Sequence, residues 1–202
     1  MHHIPKFIQS IFPDIIWHVP NNERKIFLSF DDGPHPEVTP RVLDILEQNH
    51  ALATFFCLGE NVVGNKGIYE RIKNEGNGIG NHGFRHLSGW GTSKKKYIEN
   101  ALKGFDITGS PFFRPPYGRL GIIQKFELQK KFKIVMWDIM AGDYKSNITE
   151  KQCIQFILDH IQCGSIVVLH DSAYENHKIL NILPPLLHEL TKKQYTFGVI
   201  GS

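Results

Sequence analysis

Short, nearly unbroken apolar runs alternate along the chain with stretches in which apolar residues recur every three or four positions. The first run, Lys25 to Phe30 (KIFLSF), predicts a strand that ends at two adjacent aspartates. From Pro36 to His50, Val38, Val42, Leu43, Ile45 and Leu46 fall at helical spacing. Ala51 to Leu58 (ALATFFCL) predicts a buried strand, Gly59 to Glu75 a second helical segment, and Gly78 to His82 a short strand ending at a histidine. Lys94 to Ile107 predicts a helix, after which PFFRPPYG reads as a strand end entering a proline-stiffened loop. Gly121 to Phe132 predicts helix, Lys133 to Met140 (KIVMWDIM) strand, and Thr149 to Ile161 helix with Thr149 as its N-cap. Gly164 to His170 predicts a strand that ends at another histidine. Ile179 to Lys193 predicts a helix despite Pro184 and Pro185, and YTFGVI closes the pattern.

Strand and helix therefore alternate about seven times, without a linker, low-complexity stretch or internal repeat. Such alternation predicts an α/β fold, a mainly parallel sheet with helices outside it. Residues 1–24 stand outside the alternation and are expected to pack as an apolar flap on a single domain of residues 25–202. Asp31, Asp32, His82, Arg114 and His170 all fall at or just after the C-terminal ends of predicted strands, the edge where α/β folds build their sites.

Composition narrows the function classes. At 202 residues, 41% hydrophobic and 21% charged, the chain is long and apolar enough to bury a core. Its net charge of +3 is spread out, with Lys94, Lys95 and Lys96 the one basic run, which argues against nucleic-acid binding. Cys57, Cys153 and Cys163 form no C-x-x-C motif and read as free thiols. No run of about 18 apolar residues predicts a membrane span. No secretory signal is visible in the first 20 residues, which leads to the expectation of a cytoplasmic protein, with an extracytoplasmic one as the alternative.

The candidate chemistry begins with LSFDDGPHPEVTP. Two carboxylates at the end of an apolar strand repel each other and lose hydration, so something must offset the cost. Consecutive strand side chains point to opposite faces, so one aspartate is free to bind a metal while the other stays beside it. His82 and His86, in NHGFRH, are four residues apart, a spacing that on a helical turn puts both imidazoles on one face. Two histidines and one carboxylate with open coordination positions make a catalytic rather than a structural metal set. Arg114 precedes two prolines and Tyr117, which limit where its guanidinium points, and His170 ends a very apolar strand. Asp138 and Asp143, in MWDIMAGDY, are both candidates to orient a histidine.

Taken in order, SFDDGP, HGFRH, RPPYG, WDIMAGDY and VLH resemble the five motifs of the NodB-type polysaccharide deacetylases, carbohydrate esterase family 4. The resemblance runs over nearly the whole chain. It implies a distorted (β/α) barrel of seven strands and a divalent metal, most commonly zinc. It implies that Asp32, His82 and His86 are the metal ligands and that Asp31 is the general base acting on the attacking water, oriented by Arg114. The Tyr117 backbone N–H would hold the oxyanion, and His170, supported by Asp143, would be the general acid. Three positions depart from the family pattern: Gly83 replaces a hydroxyl residue, Met140 an aspartate and Tyr144 a tryptophan. Asp138 is the candidate substitute for the missing carboxylate. The expected activity is metal-dependent removal of the acetyl group from an N-acetylated amino sugar in a glycan such as a chitooligosaccharide or peptidoglycan. The competing expectations are a non-catalytic carbohydrate-binding relative and an amidohydrolase of the same fold acting on a small or lipid-linked amide. Trp90 and Tyr174 are candidates for stacking against sugar rings.

Overall fold

The computed structural model describes residues 1–172 and 177–201. Tyr174 lies outside the described residues. A single curled sheet forms the centre. Its parallel strands are β2 (Lys25–Asp31), β3 (Ala53–Cys57), β4 (Gly78–Asn81), β5 (Phe112–Phe113), β6 (Lys133–Ile134), β7 (Ile139–Met140) and β8 (Ile166–His170). They are ordered β7-β8-β2-β3-β4-β5-β6, and all these neighbours run parallel. β1 (His2–His3) adds to β7 antiparallel, and β9 (Thr196–Phe197) pairs with the start of β2. This is the distorted barrel expected from the sequence, with seven parallel strands.

β2 is central, and its burial explains its composition. From Ile26 to Asp31 every residue is buried, because β3 and β8 flank the strand while α2 (Val38–Gln48) and α8 (Ile179–Lys192) cover its outer side. α8 runs through Pro184 and Pro185 without ending. Seven of its residues, including Ile182, Leu183, Leu186 and Leu187, are buried in the main core and outweigh the two lost backbone bonds. α7 (Glu150–His160) starts at Thr149, whose side chain accepts from the Gln152 N–H at 3.2 Å while Gln152 Oε1 accepts from the Thr149 N–H at 2.9 Å.

Two elements differ from expectation. The predicted strand Lys133–Met140 is two strands, because β6 pairs with β5 on one edge of the sheet and β7 with β8 on the other. Val135 to Asp138 cross the gap between those edges, and the barrel stays open there. The N-terminal segment fills the opening: the Ile16 N–H donates to the Ile134 carbonyl at 2.9 Å, and its carbonyl accepts from the Met136 N–H at 2.8 Å. Ile4, Ile15, Ile16, Trp17 and Val19 pack against the apolar cluster around Trp137 and Val168. The segment Gly59–Glu75, predicted as one helix, is α3 (Gly59–Gly64) and α4 (Lys66–Asn74). The break is Asn65 (φ −134°, ψ 47°), whose side-chain amide donates to the Pro34 carbonyl at 3.2 Å and the Asn61 carbonyl at 3.0 Å. The helix is interrupted where it grips the turn after β2.

The fold predicts a hierarchy of stability effects. Leu28→Ala empties fully buried space in the core that β2 shares with α2 and α8 and is expected to cost about 3 kcal/mol, whereas Thr149→Ala removes one exposed cap and is expected to cost about 1 kcal/mol. Urea unfolding checks both; equal losses would contradict the central place given to β2.

Candidate active site

β2 ends on Asp31, still extended, and the chain then turns sharply at Asp32, whose φ is 76°. The turn sends the two carboxylates to different partners. Gly33 is required on its far side: a Cβ there would lie 2.2 Å from the Asp171 carboxylate. The turn is held from outside by α3, where the Asn61 side-chain amide donates to the Asp32 carbonyl at 2.7 Å.

Asp31 faces Arg114, which follows β5. The guanidinium is fully buried and donates through Nη1 to Asp31 Oδ1 at 2.6 Å and Ser29 Oγ at 2.8 Å, and through Nη2 to the Met136 carbonyl at 3.1 Å. Its carbon lies 3.9 Å from the centre of the Phe56 ring. Burial alone would raise the Asp31 pKa, but the positive charge and hydrogen bond of Arg114, with the charge of His170 adding to them, hold the carboxyl below its ordinary value. Asp31 is therefore ionised at neutral pH.

Asp32 faces the two histidines. They do not ride a helical turn, as their spacing suggested; both sit in the loop after β4, which reverses at Gly83 (φ +86°) and brings the rings to 5.1 Å. Gly83 occupies the position of the family's hydroxyl residue, and its positive φ is a reason for glycine there. His82 Nδ1 donates to the Arg114 carbonyl at 2.8 Å, which leaves Nε2 as the ring's lone-pair nitrogen. That Nε2 lies 3.5 Å from Asp32 Oδ1, and His86 Nε2 lies 3.2 Å from the same oxygen. These contacts are not salt bridges through His82, because burial pushes its pKa down and keeps the imidazole neutral. Asp32 Oδ1 is buried and accepts no hydrogen bond. A carboxylate oxygen facing an imidazole lone pair with no proton between them is a repulsive arrangement that a cation resolves. The ligand atoms of Asp32, His82 and His86 lie within 4.8 Å of one another, and a divalent metal fits this donor set.

His170 ends β8 on the opposite side of the cleft. Its Nδ1 donates to Asp143 Oδ1 at 3.0 Å and its backbone N–H donates to Asp143 Oδ2 at 2.8 Å. Burial would lower the imidazole pKa, but the charge and hydrogen bond of Asp143, with Asp31 and Asp32 adding to them, raise it to about 9. Asp143 is thus the carboxylate against His170. Asp138, its rival on sequence grounds, is fully buried elsewhere: it bonds His18 Nδ1 at 3.2 Å and accepts from the Ile166 N–H at 2.8 Å, at the start of β8 rather than its end. Tyr144 packs its ring edge-on to His170 at 4.9 Å, and Tyr117 (φ 60°) lies against His86 at 4.3 Å.

Asp31, Asp32, His82, His86, Tyr117 and His170 thus line one cleft of about 340 Å³, with Arg114 and Asp143 supporting it from behind. Sequence reasoning missed several contributors. Ser29 accepts from Arg114 while donating to the Val167 carbonyl at 2.9 Å, and a serine inside an apolar strand one residue short of Phe30 was the available signal. Asp171 is fully buried behind Gly33 and accepts from Thr39 Oγ1 at 2.5 Å. Burial raises its pKa; Thr39 opposes the rise and Asp32 reinforces it, leaving a value of about 7. Asn61 and Asn65 carried no pattern at all.

Residues 18–130 match the model of a family described as polysaccharide deacetylase. A peptidoglycan-N-acetylglucosamine deacetylase of Bacillus cereus is 33% identical over 195 residues, covering 93% of this chain and 92% of that one. A chitooligosaccharide deacetylase of Azorhizobium caulinodans is 36% identical over 165 residues, 76% of each chain. Among solved structures, a peptidoglycan N-acetylglucosamine deacetylase in complex with 4-naphthalen-1-yl-N-oxidanyl-benzamide superposes with a TM-score of 0.87 at 29% identity, covering 96% of this chain and 94% of that one. With the motifs, the curled seven-stranded sheet and these relatives in agreement, the chain belongs to the polysaccharide deacetylases of carbohydrate esterase family 4.

Proposed function

We propose that the protein hydrolyses the acetamide of an N-acetylglucosamine residue in a glycan, releasing acetate and leaving a free amine on the sugar. One observation carries this reading: an ionised carboxylate, a His₂-Asp cation set and a protonated histidine converge on one cleft. The two similar relatives named above act, by their descriptions, on N-acetylated glycans.

Asp32, His82 and His86 would hold the cation, and two imidazoles with one carboxylate suit zinc. A cation held there would supply Lewis acidity toward water and the acetyl carbonyl. Asp31, kept ionised and fixed in direction by Arg114, takes a proton from the attacking water as its oxygen bonds to the acetyl carbon. The Tyr117 backbone N–H, on the lip of the cleft, donates to the oxyanion that forms. His170 delivers a proton from Nε2 to the sugar nitrogen as the C–N bond breaks, because Nδ1 is committed to Asp143. Arg114 and Asp143 are positioning residues: they act through Asp31 and His170.

Three outcomes are expected. Asp31→Asn lowers acetate release from N-acetylglucosamine oligomers by about 1,000-fold while metal content by mass spectrometry stays at the wild-type level; retained activity would remove Asp31 as the base. His82→Ala and His86→Ala each lose bound metal, and an unchanged stoichiometry would remove them as ligands. His170 acts protonated, so activity persists through neutral pH and falls as pH rises past its pKa. In Asp143→Asn the lowering by burial loses its largest opponent, leaving only Asp31 and Asp32 against it, and the alkaline limb of the kcat profile should move down by at least about one pH unit. A bound cation lowers the His170 pKa in both proteins alike, so the difference between the profiles is the readout, and coincident profiles would remove Asp143 from this role.

A further inference from the structure

The cleft does not end at the reacting centre. From Tyr117 its wall continues to Arg119, and just outside the lining Arg119 meets Trp90, which stands 70% exposed. The Arg119 guanidinium lies between the two rings, 5.7 Å from the centre of Tyr117 and 5.2 Å from that of Trp90. Tyr117 is itself 58% exposed, so an aromatic–cation–aromatic strip leads outward from the site.

This strip is built rather than incidental. The loop that carries Trp90 is pinned by Gln124, a buried side chain whose amide donates to the Gly89 carbonyl at 2.9 Å and the Thr92 carbonyl at 3.2 Å, while its oxygen accepts from the Gly121 N–H at 2.8 Å. Gly89 packs so closely on the Arg119 carbonyl that a Cβ there would approach it to 2.4 Å. An exposed tryptophan on a loop held from both sides offers a flat face at small cost in ordering. Arg119 forms no ion pair with an acidic residue among the described residues, and the acids of the cleft, Asp31 and Asp32, are turned to Arg114 and the histidines.

We propose that this strip is a subsite for the sugar next to the reacting N-acetylglucosamine, and that Arg119 recognises a carboxylate on that neighbour. The inference rests on the deacetylase reading above. Trp90 and Tyr117 supply ring faces for a pyranose, and the guanidinium between them supplies a fork of donors for an acid. The substrate chemistry so selected is a glycan in which N-acetylglucosamine alternates with an acid-bearing amino sugar, rather than a neutral homopolymer.

The test compares the zinc-loaded protein on three tetrasaccharides: a peptidoglycan fragment with its muramic carboxylates, the same fragment with those carboxylates reduced to alcohols, and neutral chitotetraose. The wild-type kcat/KM for the acidic fragment should exceed that for the reduced one by about tenfold, and Arg119→Ala should collapse this ratio toward one, mainly through KM. Trp90→Ala should raise KM for all three. A wild-type ratio near one, or a ratio that Arg119→Ala leaves intact, overturns the carboxylate assignment. An unchanged KM in Trp90→Ala overturns the subsite. Acetate from none of the three would instead overturn the deacetylase reading, and this inference with it, whereas acetate from all three at equal efficiency overturns the inference alone.

Discussion

A fully buried guanidinium is the constraint on which the site depends. Removing Arg114 from water is costly, and the fold offsets that cost with Asp31, Ser29, the Met136 carbonyl and the face of Phe56. These partners come from β2, from β3 and from the segment that crosses the barrel opening, so one side chain ties three parts of the sheet together. The same residue's carbonyl accepts from His82 Nδ1 and so fixes which imidazole nitrogen faces Asp32. The proposed base and the proposed cation set are therefore positioned by one residue. Replacing either half of the Asp31–Arg114 pair would leave an uncompensated buried charge as well as a misplaced catalytic group.

The second constraint is the turn at Asp32 and Gly33. Its positive φ separates two adjacent carboxylates that would otherwise compete, and three residues distant from it in the chain hold it: Asn61 on the Asp32 carbonyl, Asn65 on the Pro34 carbonyl, and Asp171 against Gly33. The helix break at Asn65 follows from this duty. Asp143 completes the arrangement from the other side by binding both the ring and the backbone of His170. Each reacting group in the cleft thus has a partner behind it that decides its direction and its charge.

Much of this was legible in the sequence, because strand ends in an α/β fold coincide with the site. Asp31, Asp32, His82, Arg114 and His170 were recognisable as strand-end residues, and the order of their motifs named the family. What was not legible depended on long-range pairing. Nothing in KIVMWDIM distinguishes one strand from two, since the break exists only because β5 and β8 lie on opposite edges of an open barrel. The choice between Asp138 and Asp143 was decided by which end of β8 each reaches, a three-dimensional fact. The histidine pair suggested a helix by its spacing, yet a loop reversing at Gly83 achieves the same approach. Asn61, Asn65 and Gln124 act through backbone carbonyls of distant loops, and single polar residues of that kind leave no periodic signal.

The central claim is that Arg114 keeps Asp31 ionised in a buried setting where a lone carboxyl would hold its proton. Isotope-edited infrared titration of the Asp31 carboxylate in the metal-free protein tests it most directly. The carboxylate band should persist at neutral pH and vanish only below the ordinary aspartate value of about 4. A protonated Asp31 at neutral pH would contradict the account.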